Sequence, residues 1–225
     1  LLLNTPMNPS AKVFSIDELT FIAQLLIKYD AYAICDEVYE HLVYDGREHI
    51  PLMALPGMRD RCIRISSAGK TFSMTGWKVG YSVGSLELLT AAGKAHQFLT
   101  FATPPNLQKA VAYGLNKDES YFNGLGTVME SKRNRLAKGL AELGFNVMDS
   151  HGTYFLTADY WPLNFSGDDV EFCKHLTSDA GVAAVPLSAF YQGDDVNHYV
   201  RFCYCKHDTL LDAALEKLNA HFGGR

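Results

Sequence analysis

Three short strand-like runs, each ending on polar residues, constrain this fold more than any other feature. Leu1-Leu2-Leu3 runs into Asn4-Thr5-Pro6, Ala31-Tyr32-Ala33-Ile34-Cys35 into Asp36, and Cys62-Ile63-Arg64-Ile65 into Ser66-Ser67-Ala68-Gly69-Lys70-Thr71. A strand covered on both faces reads as a continuous apolar run, and Ala31–Cys35 is expected to be one. A helix separates the first two runs. Ser15-Ile16-Asp17-Glu18 is a capping box, with Ser15 as N-cap and Glu18 reaching back. Ile16, Leu19, Ile22, Ala23, Leu26 and Tyr29 come after it at helical spacing. Val79–Val83 reads as a fourth strand. Strands interleaved with helices predict an α/β fold, a sheet with helices on both faces.

From Leu86 to Asn116 the pattern is helical, broken at Pro104-Pro105. A long amphipathic helix is predicted from about Ser120 to Leu143, with Leu125, Val128, Met129, Leu136, Leu140 and Leu143 as its stripe and Gly144 as its C-cap. Beyond it, short strands (Tyr154–Ala158, Val182–Val185, Tyr199–Cys205) alternate with helices over Asp168–Ala180 and Asp208–Phe222. That style predicts a smaller α+β domain, with the boundary between 1–117 and 118–225. Trp77 and Trp161 are expected as packing residues.

A net charge of −5 over 225 residues carries no footprint for nucleic acid. No apolar run is long enough to cross a bilayer as a helix. The five cysteines are odd in number and form no C-x-x-C pair, which points to reduced thiols in a cytoplasm or an organelle matrix. The apolar start has no Met and no basic leader, so it reads as a strand inside a longer fold rather than a signal peptide.

The stretch Ser66-Ser67-Ala68-Gly69-Lys70-Thr71 ends as a P-loop ends, yet Arg64 stands where the first glycine of that loop must be. The segment after Thr71 reads as loop then strand, not as the helix a phosphate loop needs. Glu37-Val38-Tyr39-Glu40-His41 echoes a zinc motif, but Glu37 occupies the position that requires His. No second His–carboxylate cluster completes a metal shell. Asn8, Asp36, Ser67 and Lys70 all lie just beyond strand ends, where ligands of open α/β sheets bind. An amide, a carboxylate, a hydroxyl and a lysine suit an anionic ligand with a cationic ring better than a metal.

The segments Asn4-Thr5-Pro6-Met7-Asn8-Pro9-Ser10-Ala11-Lys12-Val13-Phe14, Asp36–Gly46, Ser66–Tyr81 and Tyr199–Cys205 occur in the order and rough spacing of class I aminotransferases. The sequence resembles these fold type I pyridoxal-phosphate enzymes, in particular the kynurenine, glutamine and methionine aminotransferase branch. The resemblance implies part of a large cofactor-binding domain with a mainly parallel sheet, then a smaller C-terminal α+β domain. It makes Lys70 the residue that binds pyridoxal 5'-phosphate as an internal aldimine and then shuttles a proton. Asp36 is implied as the partner of the ring nitrogen, keeping it protonated and the ring an electron sink. Tyr39 and Asn8 are implied as donors to the phenolic oxygen, and Asn8 also touches the substrate carboxylate. Ser67 and Lys78 are implied phosphate ligands, Lys78 standing where the family carries Arg or Lys. Arg201 is implied to grip the substrate α-carboxylate through two parallel hydrogen bonds. Alternation by itself places Val200, Phe202 and Tyr204 on one face of that strand and Tyr199, Arg201, Cys203 and Cys205 on the other.

The sequence departs from the family at Asn8-Pro9-Ser10-Ala11, where Asn-Pro-Thr-Gly is usual. Only a little over half of the family fold is present. The resemblance implies a homodimer completed by an N-terminal segment, with amino acids and 2-oxo acids as substrates and large, soft donors such as kynurenine, glutamine, methionine or aromatic residues. A cysteine-S-conjugate β-lyase, or a non-catalytic piece of the fold, are the alternatives.

Overall fold

The structure, a computed structural model, describes residues 1–193 and 196–223. The chain divides into two compact units, Leu1–Pro6 with Val13–Gly126, and Met7–Lys12 with Thr127–Arg225.

The first unit is built on a sheet of β1 (Leu2–Asn4), β2 (Ala33–Asp36), β3 (Cys62–Ser67) and β4 (Gly80–Gly84), in that order. The first three strands are parallel and β4 is antiparallel. Helix α1 (Ile16–Lys28) starts at the expected capping box, with Ser15 N donating to Glu18 Oε2 at 2.9 Å and Glu18 N to Ser15 Oγ at 3.3 Å. It buries Leu19, Ala23 and Leu26 against Leu3, Ala33, Cys35 and Cys62.

The expectation that Ala31–Cys35 is covered on both faces is not met. Leu2 and Ile34 are 74% and 45% exposed. The register Leu2↔Ile34↔Ile63 puts these side chains on one face, and α1 covers the opposite one. The apolar run is continuous because both faces are apolar, although only one is packed here. Helix α2 (Ala68–Thr71) is a single turn directly after β3, shorter than anything the periodicity revealed. Helix α3 (Leu86–Leu99) has a Ser85 N-cap but buries none of its residues. Helix α4 (Pro105–Leu115) begins with Pro105 in the first turn, where a missing N–H costs nothing. Phe72 packs on its Gly114 and stacks on Tyr121, 5.8 Å between ring centres, at the start of α5 (Glu119–Glu142).

The second unit is an antiparallel sheet of β5 (Asn146–Val147), β6 (Phe155–Asp159), β7 (Val185–Pro186) and β8 (Tyr199–Cys203), ordered β5-β6-β8-β7. Helices α6 (Asp169–His175) and α7 (Asp208–Phe222) accompany it. Phe145 is the hub of its core, edge-on to Phe172, Phe202 and Phe222 at 5.9–6.1 Å. Gly144 takes φ +94° just past α5, a conformation in which a Cβ is strained, as its C-cap reading requires. The helix expected over Asp168–Ala180 is α only to His175, and a π turn completes it through Ala180. Trp77 and Trp161, expected as packing residues, are 51% and 65% exposed, and Trp161 packs edge-on against His198 with ring centres 4.8 Å apart. Among the described residues no helix is long and apolar enough to cross a membrane.

Candidate active site

In the first unit the ends of β2 and β3 carry the candidate cofactor residues. Asp36 is the last residue of β2 and pairs with Ile65 of β3. Ser67 ends β3 two residues later, on the same face of the sheet as Ile65. Lys70 is half-buried in α2, its Nζ 5.6 Å from the centre of the Tyr39 ring, which is itself buried. The pairing of Ser67 with Gly80 puts Lys78, two residues before Gly80, at this same end of the sheet. Lys78 is exposed and adopts the left-handed conformation, φ 56°.

Two features suit a bound cofactor. Asp36 Oδ1 is buried and accepts no hydrogen bond from the protein. A buried carboxylate oxygen without a donor costs about 1–3 kcal/mol or more, so its position calls for a donor from outside the described residues. Ser67 is the N-cap of α2, yet its hydroxyl caps no backbone N–H. That leaves it open to an external anion.

The turn carrying Lys70 is tight. A Cβ on Gly69 would lie 2.9 Å from the Thr75 Cα and 3.2 Å from Ser67 Oγ. Gly69→Ala is therefore expected to displace α2 and destabilise the fold by about 1–3 kcal/mol, the usual cost of overpacking. Thermal unfolding reads the loss, and an unshifted midpoint would mean that the backbone at Thr75 gives way freely.

Behind the strand ends lies a polar cluster that sequence reasoning missed. Glu37 is fully buried and receives a hydrogen bond from His49 Nε2 at 2.8 Å. Arg64 Nε stands 2.6 Å from Glu37 Oε2 as an ion contact without hydrogen-bond alignment, and Arg64 also meets Glu40. Glu40 Oε1 accepts from Ser66 Oγ at 2.7 Å and from the Tyr81 hydroxyl at 3.3 Å. Burial, and secondarily His49, holds the neighbouring His41 below the usual imidazole value. Cys35, just before Asp36, is hydrogen-bonded to Cys62 and buried, and both effects push its thiol up, away from the reactive thiolate.

The second unit holds the other two candidates and brings them together. Arg201 donates from a guanidinium nitrogen to Asn8 Oδ1. The burial of β8 alternates as the sequence predicted, with Val200 and Phe202 buried and Arg201 half-buried. Phe155 and Phe190 flank the guanidinium, 3.9 and 4.7 Å from its carbon to their ring centres. The antiparallel register explains Phe155. Thr157 faces Arg201, so Phe155 is the diagonal neighbour on the same face. Nothing in the sequence announces that pairing. Asn8 thus belongs to the second unit, while the other strand-end candidates belong to the first.

The family described as aminotransferase class I and II matches residues 1–218. The chain is 43% identical over 228 residues to the probable N-succinyldiaminopimelate aminotransferase of Mycobacterium tuberculosis, covering 97% of this chain and 57% of that protein. It is 39% identical to the human kynurenine–oxoglutarate transaminase 3 over 98% of this chain and 52% of that one. The solved structure of the M. tuberculosis N-succinyldiaminopimelate aminotransferase superposes with a TM-score of 0.94 at 45% identity, over 98% of this chain and 57% of that chain. A methionine aminotransferase structure from Escherichia coli superposes with a TM-score of 0.92 at 38% identity, over 97% of this chain and 57% of that chain. The chain therefore spans little more than half the length of the relatives it matches. On the strength of the match along nearly its whole length, this chain belongs to the aminotransferase class I and II family.

Proposed function

We propose that this chain supplies the catalytic lysine and the substrate-carboxylate clamp of a pyridoxal-phosphate-dependent aminotransferase, which moves an amino group from an amino acid to a 2-oxo acid. The unpartnered, buried Asp36 Oδ1 at the strand end beside that of Ser67 and Lys70 carries the reading. The cofactor, when bound, supplies an electron sink for the carbanion formed at the substrate Cα.

Asp36 is proposed to pair with its ring nitrogen, Ser67 and Lys78 to hold its phosphate, and Tyr39 and Asn8 to donate to its ring oxygen. Lys78 serves there as a point charge, without the fork an arginine would bring. Lys70 would hold the cofactor through its amine, and the same amine would move the proton to and from Cα. Its neighbour Tyr39 is held in place by burial, so the amine faces a fixed aromatic wall.

Arg201 takes the substrate α-carboxylate. Its half-buried guanidinium is oriented by Asn8 and by the Phe155 and Phe190 rings, which favours two parallel hydrogen bonds to a planar carboxylate. The donors proposed are kynurenine, glutamine, methionine or aromatic amino acids; kynurenine and methionine appear in the names of relatives, beside the N-succinyldiaminopimelate of another. No observation favours β-elimination.

The unit with Lys70 exposes Leu2, Ile34, Phe98, Leu99 and Phe101, the last three by more than 80%. So much bare apolar surface supports a homodimer in which an N-terminal complementary segment completes each site. The five cysteines, present as thiols, support a reducing compartment, cytoplasm or organelle matrix.

The test is to combine the chain with an N-terminal segment of a family member, or to use the complete protein, and to add pyridoxal phosphate and each amino donor with a 2-oxo acid. Formation of the donor's own 2-oxo acid, with cofactor absorbance that depends on Asp36 and Lys70, is the expected result. A colourless, inactive assembly overturns the proposal. Arg201→Ala is expected to lower kcat/KM by about 100-fold or more, mostly through KM, since two charge-assisted hydrogen bonds are lost. Initial rates over a range of donor concentration check it, and an unchanged KM would remove Arg201 from the carboxylate site.

A further inference from the structure

Away from these residues, in the second unit, two histidines face one another. His175 ends α6 and His221 lies in the last turn of α7. Their Nε2 atoms are 2.9 Å apart, with the ring planes inclined at 62° and the ring centres 4.8 Å apart. Two rings meeting head-on at that nitrogen separation would have their centres farther apart. The rings therefore do not meet head-on, and their Nε2 atoms approach each other at an angle. His175 Nδ1 is 2.7 Å from Asp179 Oδ2, so Nδ1 carries the proton and Nε2 presents a lone pair. A carboxylate on the far nitrogen is the arrangement that fixes metal-binding imidazoles. The Phe165 ring lies 5.1 Å from that of His175 and holds its plane.

We propose that His175 and His221 form a two-imidazole site for a divalent transition metal ion of tetragonal preference, Cu(II) or Ni(II), with water in the remaining positions. The 2.9 Å separation, which is also that of a direct N–H···N hydrogen bond, fits one coordination geometry better than another. Two nitrogens about 2.0–2.1 Å from an ion and at right angles to each other lie about 2.9 Å apart, whereas a tetrahedral pair needs about 3.3 Å. Neighbouring positions on a tetragonal ion are at right angles, which suits Cu(II) and Ni(II) better than Zn(II). Both histidines are half-buried, so the ring edges reach solvent and leave room for water ligands. Among the described residues no group of three or more His, Cys, Asp or Glu side chains could hold a metal, so the site is an open one with two protein ligands. It is independent of the aminotransferase reading, because no residue proposed for that reaction takes part.

The intact protein is titrated with CuCl2 in a calorimeter, and the Cu(II) spectrum is recorded by electron paramagnetic resonance. One ion per chain is expected, with splitting from two nitrogens. His221→Gln and His175→Gln should each weaken it at least about 10-fold and leave a one-nitrogen spectrum, and Asp179→Asn should weaken it by about 10-fold with both nitrogens retained. Circular dichroism checks that the variants fold, and Asp179→Asn, on an exposed side chain, keeps the test decisive if either histidine variant does not. Binding that survives both histidine changes, or a wild-type spectrum with one nitrogen, overturns the proposal, leaving a hydrogen-bonded pair.

Discussion

In the complete enzyme, Lys70→Ala is expected to lower amino transfer by about 10³–10⁴-fold, the upper range for loss of a positioned acid–base group. The lysine does two jobs in the proposal, so one substitution removes both the anchoring amine and the proton carrier. Lys70→Arg separates charge from chemistry. Arginine keeps a cation next to the buried Tyr39 ring, but it cannot deprotonate and so can neither anchor a carbonyl nor accept the Cα proton. Both variants should be equally inactive while folding normally. Borohydride treatment of the unmodified enzyme should add the mass of the reduced cofactor to the peptide containing Lys70, and to no other lysine. Substantial activity in Lys70→Arg, or label on Lys78 instead, would reassign the two lysines.

Legibility in the sequence depended on local pattern. Lys70 comes just after the short strand Cys62–Ser67, and Arg201 sits in a strand whose burial alternates, so their places on these elements were legible without tertiary information, while their roles were implied by the family resemblance. The capping box at Ser15 and the C-cap at Gly144 are equally local and stand where expected. The features that escaped depend on which strand lies beside which. Phe155 reaches Arg201 only through the β6–β8 register. Ile34 looked covered because its own sequence cannot say that α1 packs on one face only. Asn8 looked like a strand-end residue of the large sheet, while the chain from Met7 to Lys12 belongs to the second unit. Arg64 and Glu37 entered the sequence argument only as residues that spoil a phosphate loop and a zinc motif. Their roles emerge from parallel pairing, which sets Arg64 beside Cys35 and within reach of the two glutamates beyond it.

That cluster carries the second large effect. Arg64→Met is expected to destabilise the first unit by about 3–5 kcal/mol, the cost of leaving buried carboxylates without their cation. Glu37 and Glu40 have side chains 0% and 5% exposed, so water cannot take the place of the guanidinium. His49 can stay on Glu37, and Ser66, Tyr81 and His41 on Glu40, but two of these four partners are neutral hydroxyls and burial holds His41 below the usual imidazole value. Glu37 Oε1 already accepts no hydrogen bond, so little reserve remains. For a chain of this size the thermal midpoint, monitored by circular dichroism, should fall by roughly 10 °C. Arg64→Met with Glu37→Gln and Glu40→Gln should recover much of that loss, because the uncompensated charges go with the cation. The effect must also reach the cofactor. Asp36 precedes Glu37, Ser67 comes directly after Ser66, and Tyr81 lies in the strand opposite, so the cluster clamps the ends of β2 and β3 to β4 where the proposed ring and phosphate ligands stand. Cofactor affinity should therefore fall in Arg64→Met although Arg64 is assigned no contact with it. An unfolding midpoint that stays put would show that the charges at positions 37 and 40 are neutralised by other means, and that the strand ends are held by their backbone pairing alone.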